Sequence, residues 1–133
     1  MTETRQKRVK QTAEIFTPPA LTNEILDKLP LEVWEPEKTF CDPACGNGNI
    51  LLEVLIRKLS YDHPALVAVR AIWGVDLMPD NVIECRERLL ELIPEIDKEE
   101  ARKLLKKQIA CHDALTWDFN RWKEVGTKYK KLI

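Results

Sequence analysis

The stretch Thr39-Phe40-Cys41-Asp42-Pro43-Ala44-Cys45-Gly46-Asn47-Gly48-Asn49-Ile50-Leu51-Leu52 decides how this chain reads. An apolar strand end runs into a tight glycine turn, and the turn runs into an amphipathic helix. Gly46 and Gly48 carry no side chain where a ligand must approach, and glycine takes the positive φ that such a turn demands. The helix that follows aims unpaired backbone N–H groups at the turn. Asp42 stands at the carboxyl end of the strand, where open α/β sheets bind their ligands.

The spacing excludes two common nucleotide signatures, being neither G-x-G-x-x-G nor G-x-x-x-x-G-K-[ST]. An acidic residue leading the turn repels a phosphate. It suits a ligand that carries an ammonium group and hydroxyls.

Working outward, Thr17-Pro18-Pro19 opens a helix, with Thr17 as cap and Pro18 at the first helical position. Leu21, Ile25, Leu26 and Leu29 then recur at helical spacing. The first strand is expected over 38–41, and a helix over 49–59 gathers Leu51, Leu52, Leu55 and Leu59 on one face. Residues 67–75 read as a buried parallel strand. Pro79 opens the next helix, with Val82, Ile83, Leu89, Leu90 and Ile93 facing the core, and Pro94 closes it. Asp97 and Glu100 form a capping pattern for a helix through 107. Residues 109–111 are a third strand, 117–123 are partly helical, and 129–133 start a fourth strand. This alternation predicts an α/β domain with a parallel sheet.

The 133 residues, 44% of them hydrophobic, suffice for one compact domain. The expected division is a polar basic tail over 1–13 and a folded domain over 14–133. No run approaches 18 apolar residues, so no membrane span is expected, and residues 1–11 lack the apolar region of a signal peptide. Cys41, Cys45, Cys85 and Cys111 show no C-x-x-C spacing; they read as reduced thiols of a cytoplasmic protein, packed as small hydrophobes. His63 and His112 lack partners at ligand or triad spacing, so no metal or base role falls to them. The net charge of −1 hides +3 over 1–10, +4 over 121–133 and −8 between. A DNA-gripping surface needs clustered positive charge. The folded middle does not supply it, and charged ends are ordinarily solvated tails.

The run Asp42-Pro43-Ala44-Cys45-Gly46-Asn47-Gly48-Asn49 resembles the D-P-A-C-G-S-G-N motif of S-adenosylmethionine-dependent adenine-N6 DNA methyltransferases, with Asn47 in place of the usual Ser. Three more segments follow in that family's order. Phe16-Thr17-Pro18-Pro19 is similar to its F/Y-T-P-P segment, Ala71-Ile72-Trp73-Gly74-Val75-Asp76-Leu77 to its second strand, and Ala110-Cys111-His112-Asp113-Ala114-Leu115 to its third. The resemblance spans roughly residues 14 to 119. It implies a Rossmann-like class I methyltransferase fold with bound S-adenosylmethionine, and strand four beside strand one. It also implies roles. Asp42 faces the methionine ammonium, and Thr17 contacts the methionine carboxylate. Phe16 walls the pocket, while Ala44, Gly46, Gly48 and Asn49 form the turn. Asp76 accepts from the ribose hydroxyls and Leu77 packs on the adenine face. Asp113 accepts from the adenine N6 amino group, and Ala114 offers its N–H to a ring nitrogen. The residues themselves allow plainer readings: turn aspartates at Asp42 and Asp113, helix caps at Thr17 and Asp76, and core packing for Trp73 and Trp117.

The family's catalytic element, [D/N/S]-P-P-[Y/F], does not occur in these 133 residues; Pro18-Pro19 is the only Pro-Pro. The expectation is therefore a cofactor-binding part whose catalytic region, and whose DNA contacts, lie outside this sequence. A second polypeptide supplying them, or self-association through an exposed sheet edge, fits that expectation. A non-catalytic S-adenosylmethionine-binding module, and a vestigial fold kept for protein interaction, are the alternatives.

Overall fold

The computed structural model describes residues 17–120, so Phe16, the 1–13 tail and the expected fourth strand lie outside the described residues. The order is helix α1 (Pro19–Asp27), a 3-10 turn (Leu31–Trp34), strand β1 (Phe40–Asp42), helices α2 (Asn49–Ser60) and α3 (Ala65–Arg70), strand β2 (Ile72–Asp76), helices α4 (Pro79–Glu91) and α5 (Glu95–Gln108), and strand β3 (Ile109–Cys111). The three strands form one parallel sheet in the order β1-β2-β3. This is the α/β, Rossmann-like fold the sequence predicts, with helices flanking a partial parallel sheet.

β2 is the central strand of the three, and its alternation feeds two cores. Ile72 joins the larger core with Leu51, Leu55, Val82, Leu89 and Leu105. Trp73 and Val75 point to the other face and pack with Ala110 and Trp117. Both tryptophans named from the sequence thus serve packing, and the Trp73 indole N–H donates to the Arg70 carbonyl at 2.9 Å. Gly74 is required by close approach, since a Cβ there would lie 2.8 Å from Leu51 Cδ1 and 3.0 Å from Cys45 Cβ. That closeness seats α2 and the glycine turn directly on β2.

Several boundaries differ from the expected ones, each for a local reason. The 67–75 strand is helix α3 up to Arg70 and strand only from Ile72. Pro64 starts that helix, and burial of Ala68 and Val69 against the core outweighs the β preference of Val67 and Val69. At α1 the cap is Pro18, with Pro19 first in the helix, so Thr17 is not the cap. At α5 Pro94 takes the N-terminal position, and Asp97 lies within the first turn. On α4 the core face is Val82, Cys85 and Leu89, while Ile83 is 54% exposed. Of the four thiols, Cys45 and Cys85 are buried, as packed small hydrophobes should be, whereas Cys41 and Cys111 are exposed; all four are free. Among the described residues no helix is long and apolar enough to cross a membrane.

Candidate functional site

The glycine turn between β1 and α2 is held from below. Cys45 N–H donates to the Val75 carbonyl at 2.9 Å, and Gly48 N–H to the Cys45 carbonyl at 2.9 Å. Gly46 and Gly48 both take positive φ, +55° and +92°. Gly48 caps α2 in the left-handed region, where an L side chain is strained. It is buried against Cys85, not on the cleft, and a Cβ there would meet Cys85 Sγ at 2.7 Å. Its missing side chain lets α4 pack under the turn.

Above the turn lies a small cleft lined by Thr17, Asp42, Ala44, Cys45, Gly46, Asn47, Asn49 and Ile50. Its enclosed part is about 30 Å³, the share of one water molecule in the liquid. It has room for a small polar group only. The structure brings Thr17, Asp42, Ala44, Gly46 and Asn49 together here. Asn49 Nδ2 donates to the Thr17 carbonyl at 2.8 Å, which ties the segment before α1 to the start of α2.

Asp42 Oδ1 accepts from Ala44 N–H at 3.1 Å, so it is a turn aspartate as well as a cleft residue. Burial raises its pKa above the ordinary 3.8; the Ala44 hydrogen bond opposes this, and the nearby Asp76 adds to it. Beside it, Asn47 Nδ2 donates to Glu84 Oε1 at 3.3 Å, while Asn47 Oδ1 is buried with no hydrogen-bond partner. Among the described residues no Lys or Arg lines the cleft. The Asp42 carboxylate keeps acceptor capacity beyond its one bond to Ala44, and the Asn47 carbonyl oxygen is unpartnered; buried acceptors of this kind call for a donor. These acceptors suit a cationic N–H donor such as an ammonium.

Asp76 closes the far side of the turn. Its Oδ1 accepts from Gly46 N–H at 3.0 Å, and its Oδ2 accepts from Met78 N–H at 3.1 Å and Asn81 Nδ2 at 3.0 Å. A carboxylate offers about four acceptor positions, so about one remains. Leu77, Asp113 and Ala114 do not line the cleft. Leu77 is 60% exposed. Asp113 is exposed, with Oδ1 accepting from Leu115 N–H at 3.0 Å in its own turn. Ala114 packs against the Trp73 and Val75 core.

The sequence reading missed the polar face of α4. Asn81, fully buried, holds Asp76; Glu84 holds Asn47; Arg88 donates to the Asn47 carbonyl at 3.0 Å and to Asn49 Oδ1 at 2.7 Å. Their spacing of three and four residues puts them on one helix face, and that spacing was the available signal. A groove of about 250 Å³ between α4 and α5, walled by Ile83, Leu90 and Leu105, lies away from this turn.

No protein-family model matches the chain. Over 77 residues it is 34% identical to a Type II methyltransferase, M.VspI, from Vibrio sp. (strain 343); the match covers 58% of this chain and 16% of that enzyme. The chain thus has a Rossmann-like α/β fold, and its sequence similarity is to a small part, about a sixth, of a methyltransferase.

Proposed function

We propose that this chain is the S-adenosylmethionine-binding part of an adenine-N6 DNA methyltransferase of the restriction–modification type. The observation that carries the reading is that Asp42, a carboxylate, and Asn47, whose Oδ1 is buried and unpartnered, line one cleft at the carboxyl rim of β1. When bound, S-adenosylmethionine supplies a sulfonium methyl group for transfer to a nucleophilic nitrogen. In this reading Asp42 and Asn47 receive its ammonium. Thr17, with Phe16 beside it in sequence, meets its carboxylate end. The remaining acceptor position of Asp76 takes one ribose hydroxyl. The exposed Leu77 covers the adenine face, Asp113 accepts from the adenine N6 amino group, and Ala114 N–H meets a ring nitrogen.

Methyl transfer also needs the acceptor nitrogen held in line with the methyl group. The 133 residues contain no [D/N/S]-P-P-[Y/F] element to hold it. We place that element, and the DNA contacts, on further sequence or a second polypeptide. Among the described residues β1 pairs only with β2, and an open strand edge is a template for pairing with a further strand. A labelled-methyl assay on adenine-containing duplex DNA tests this. The chain alone should transfer nothing, and a polypeptide bearing a P-P-Y element and target-recognition region should restore transfer. Transfer by the isolated chain would contradict the reading.

A further inference from the structure

A second cavity, of about 410 Å³, lies at the opposite end of α2 from the glycine turn. Twelve residues at about 1.5 Å each separate the two by about 18 Å. It is walled by Trp34, Pro36, Tyr61 and His63 and carries two carboxylates, Glu35 and Asp62; among the described residues no Lys or Arg lines it. We propose that this cavity binds the guanidinium group of an arginine side chain presented by another polypeptide.

The ring geometry suits a flat cation. Tyr61 stands 21° from parallel to Trp34 at 6.5 Å between centroids, and 88° to His63 at 6.4 Å. Trp34, which also stacks on Phe40 at 5.1 Å, and Tyr61 thus lie nearly parallel, and only the His63 ring stands across them. Guanidinium groups stack on aromatic faces and present a rigid fork of donors. Trp34 already accepts one within the fold, since Arg57 Cζ lies 5.6 Å from its ring centroid. That guanidinium is committed to Asp27 at 2.7 Å and to Asn23.

The polar atoms point the same way. His63 Nδ1 is buried and has no hydrogen-bond partner. Burial, reinforced by the Lys58 ammonium and opposed by a Trp34 backbone hydrogen bond and by Glu37, holds the ring below its ordinary pKa, which favours the neutral imidazole, a form with one acceptor nitrogen. Lys58 itself is turned to the Glu35 and Lys38 carbonyls. Asp62 follows the C-cap Tyr61 with φ +61°, a position where glycine is the ordinary choice. An aspartate there strains the backbone and places a carboxylate on the cavity.

The test is a titration with N-acetyl-arginine amide, read by the Trp34 indole N–H signal in two-dimensional NMR, with N-acetyl-citrulline amide as the neutral isostere. Arginine amide should give a saturable shift with affinity on the order of millimolar, as suits a single side chain. The citrulline compound should bind about tenfold more weakly, as expected when charge-assisted bonds become neutral ones. Asp62→Gly should unfold at the same or a higher temperature and yet lose affinity, and Glu35→Gln should lose affinity with the fold intact. Absence of a saturable shift, equal binding of citrulline, or undiminished binding by both variants would overturn the proposal. The cavity shares no lining residue with the cleft at the glycine turn, so either site can fail without the other.

Discussion

The backbone N–H of Gly46 donates to Oδ1 of Asp76 at 3.0 Å, joining residues 30 apart in sequence. The contact ties the ligand turn after β1 to the end of β2. Because Asp76 also accepts from Met78 and Asn81, one carboxylate fixes three donors. Asp76→Ala should therefore cost about 2–4 kcal/mol, since buried donors lose a charged acceptor. Urea unfolding should show that loss, and Asp76→Asn should fall between it and the parent protein.

Asp42 should behave in the opposite sense. Its pKa is raised in the folded protein, so folding favours its protonated form. The corresponding stability is fully present below the unfolded value of about 3.8 and is lost as pH rises through the folded value. At neutral pH the ionised side chain is thus a burden on the ligand-free fold. Asp42→Asn should melt no lower than the parent without ligand. Its affinity for S-adenosylmethionine should drop about 10- to 100-fold, the worth of a charge-assisted hydrogen bond. Parent affinity should weaken as pH falls from neutral toward that raised value. An analogue lacking the amino group should show neither effect.

Gly48 gives a packing test. Its Cβ would lie 2.7 Å from Cys85 Sγ, at φ +92°. Gly48→Ala should cost about 2–4 kcal/mol, part from the left-handed backbone and part from overpacking. Combined with Cys85→Ala, the overpacking part should disappear, and denaturation of all four proteins should reveal a favourable coupling of about 1–2 kcal/mol.

Lys58 gives a pH signature independent of the ligand. It is fully buried, donates to the Glu35 and Lys38 carbonyls, and burial lowers its pKa from 10.5 to about 8, against a smaller opposing effect of Glu37. Between those values the unfolded chain binds the proton more tightly, so the penalty of the buried ammonium is full below about pH 8 and eases as pH rises. Two thiols act in reverse from about pH 8 upward. Desolvation lifts the Cys41 thiol from 9.0 to about 11 although the residue's surface is exposed, and a hydrogen bond to Cys85 together with burial holds Cys45 well above 9.0, so both ionise first in the unfolded chain. The lysine is isolated by difference: between about pH 8 and 9 the unfolding midpoint of the parent protein should rise relative to that of Lys58→Met.

What was legible in the sequence was what a periodic pattern or a glycine carries. Asn49 as the first residue of α2 and Ile109–Cys111 as β3 both follow from turn chemistry beside an apolar run. Val67 and Val69 misled because branched residues favour strands only until a helix buries them better. The cleft was partly visible, since Thr17, Asp42, Ala44, Gly46 and Asn49 converge on it. Asn81, Glu84 and Arg88 were not, because polar residues on a helix read as solvent-facing until tertiary contacts turn them inward. Lys58 escaped for the same reason.

Calorimetric titration of the protein with S-adenosylmethionine tests the central claim most directly. We expect one saturable site of roughly micromolar affinity, a common range for small-ligand recognition, weakened by Asp42→Asn and nearly lost in Asp76→Ala protein shown to be folded. Absence of binding heat at millimolar ligand, at more than one temperature and with the fold intact, would contradict it.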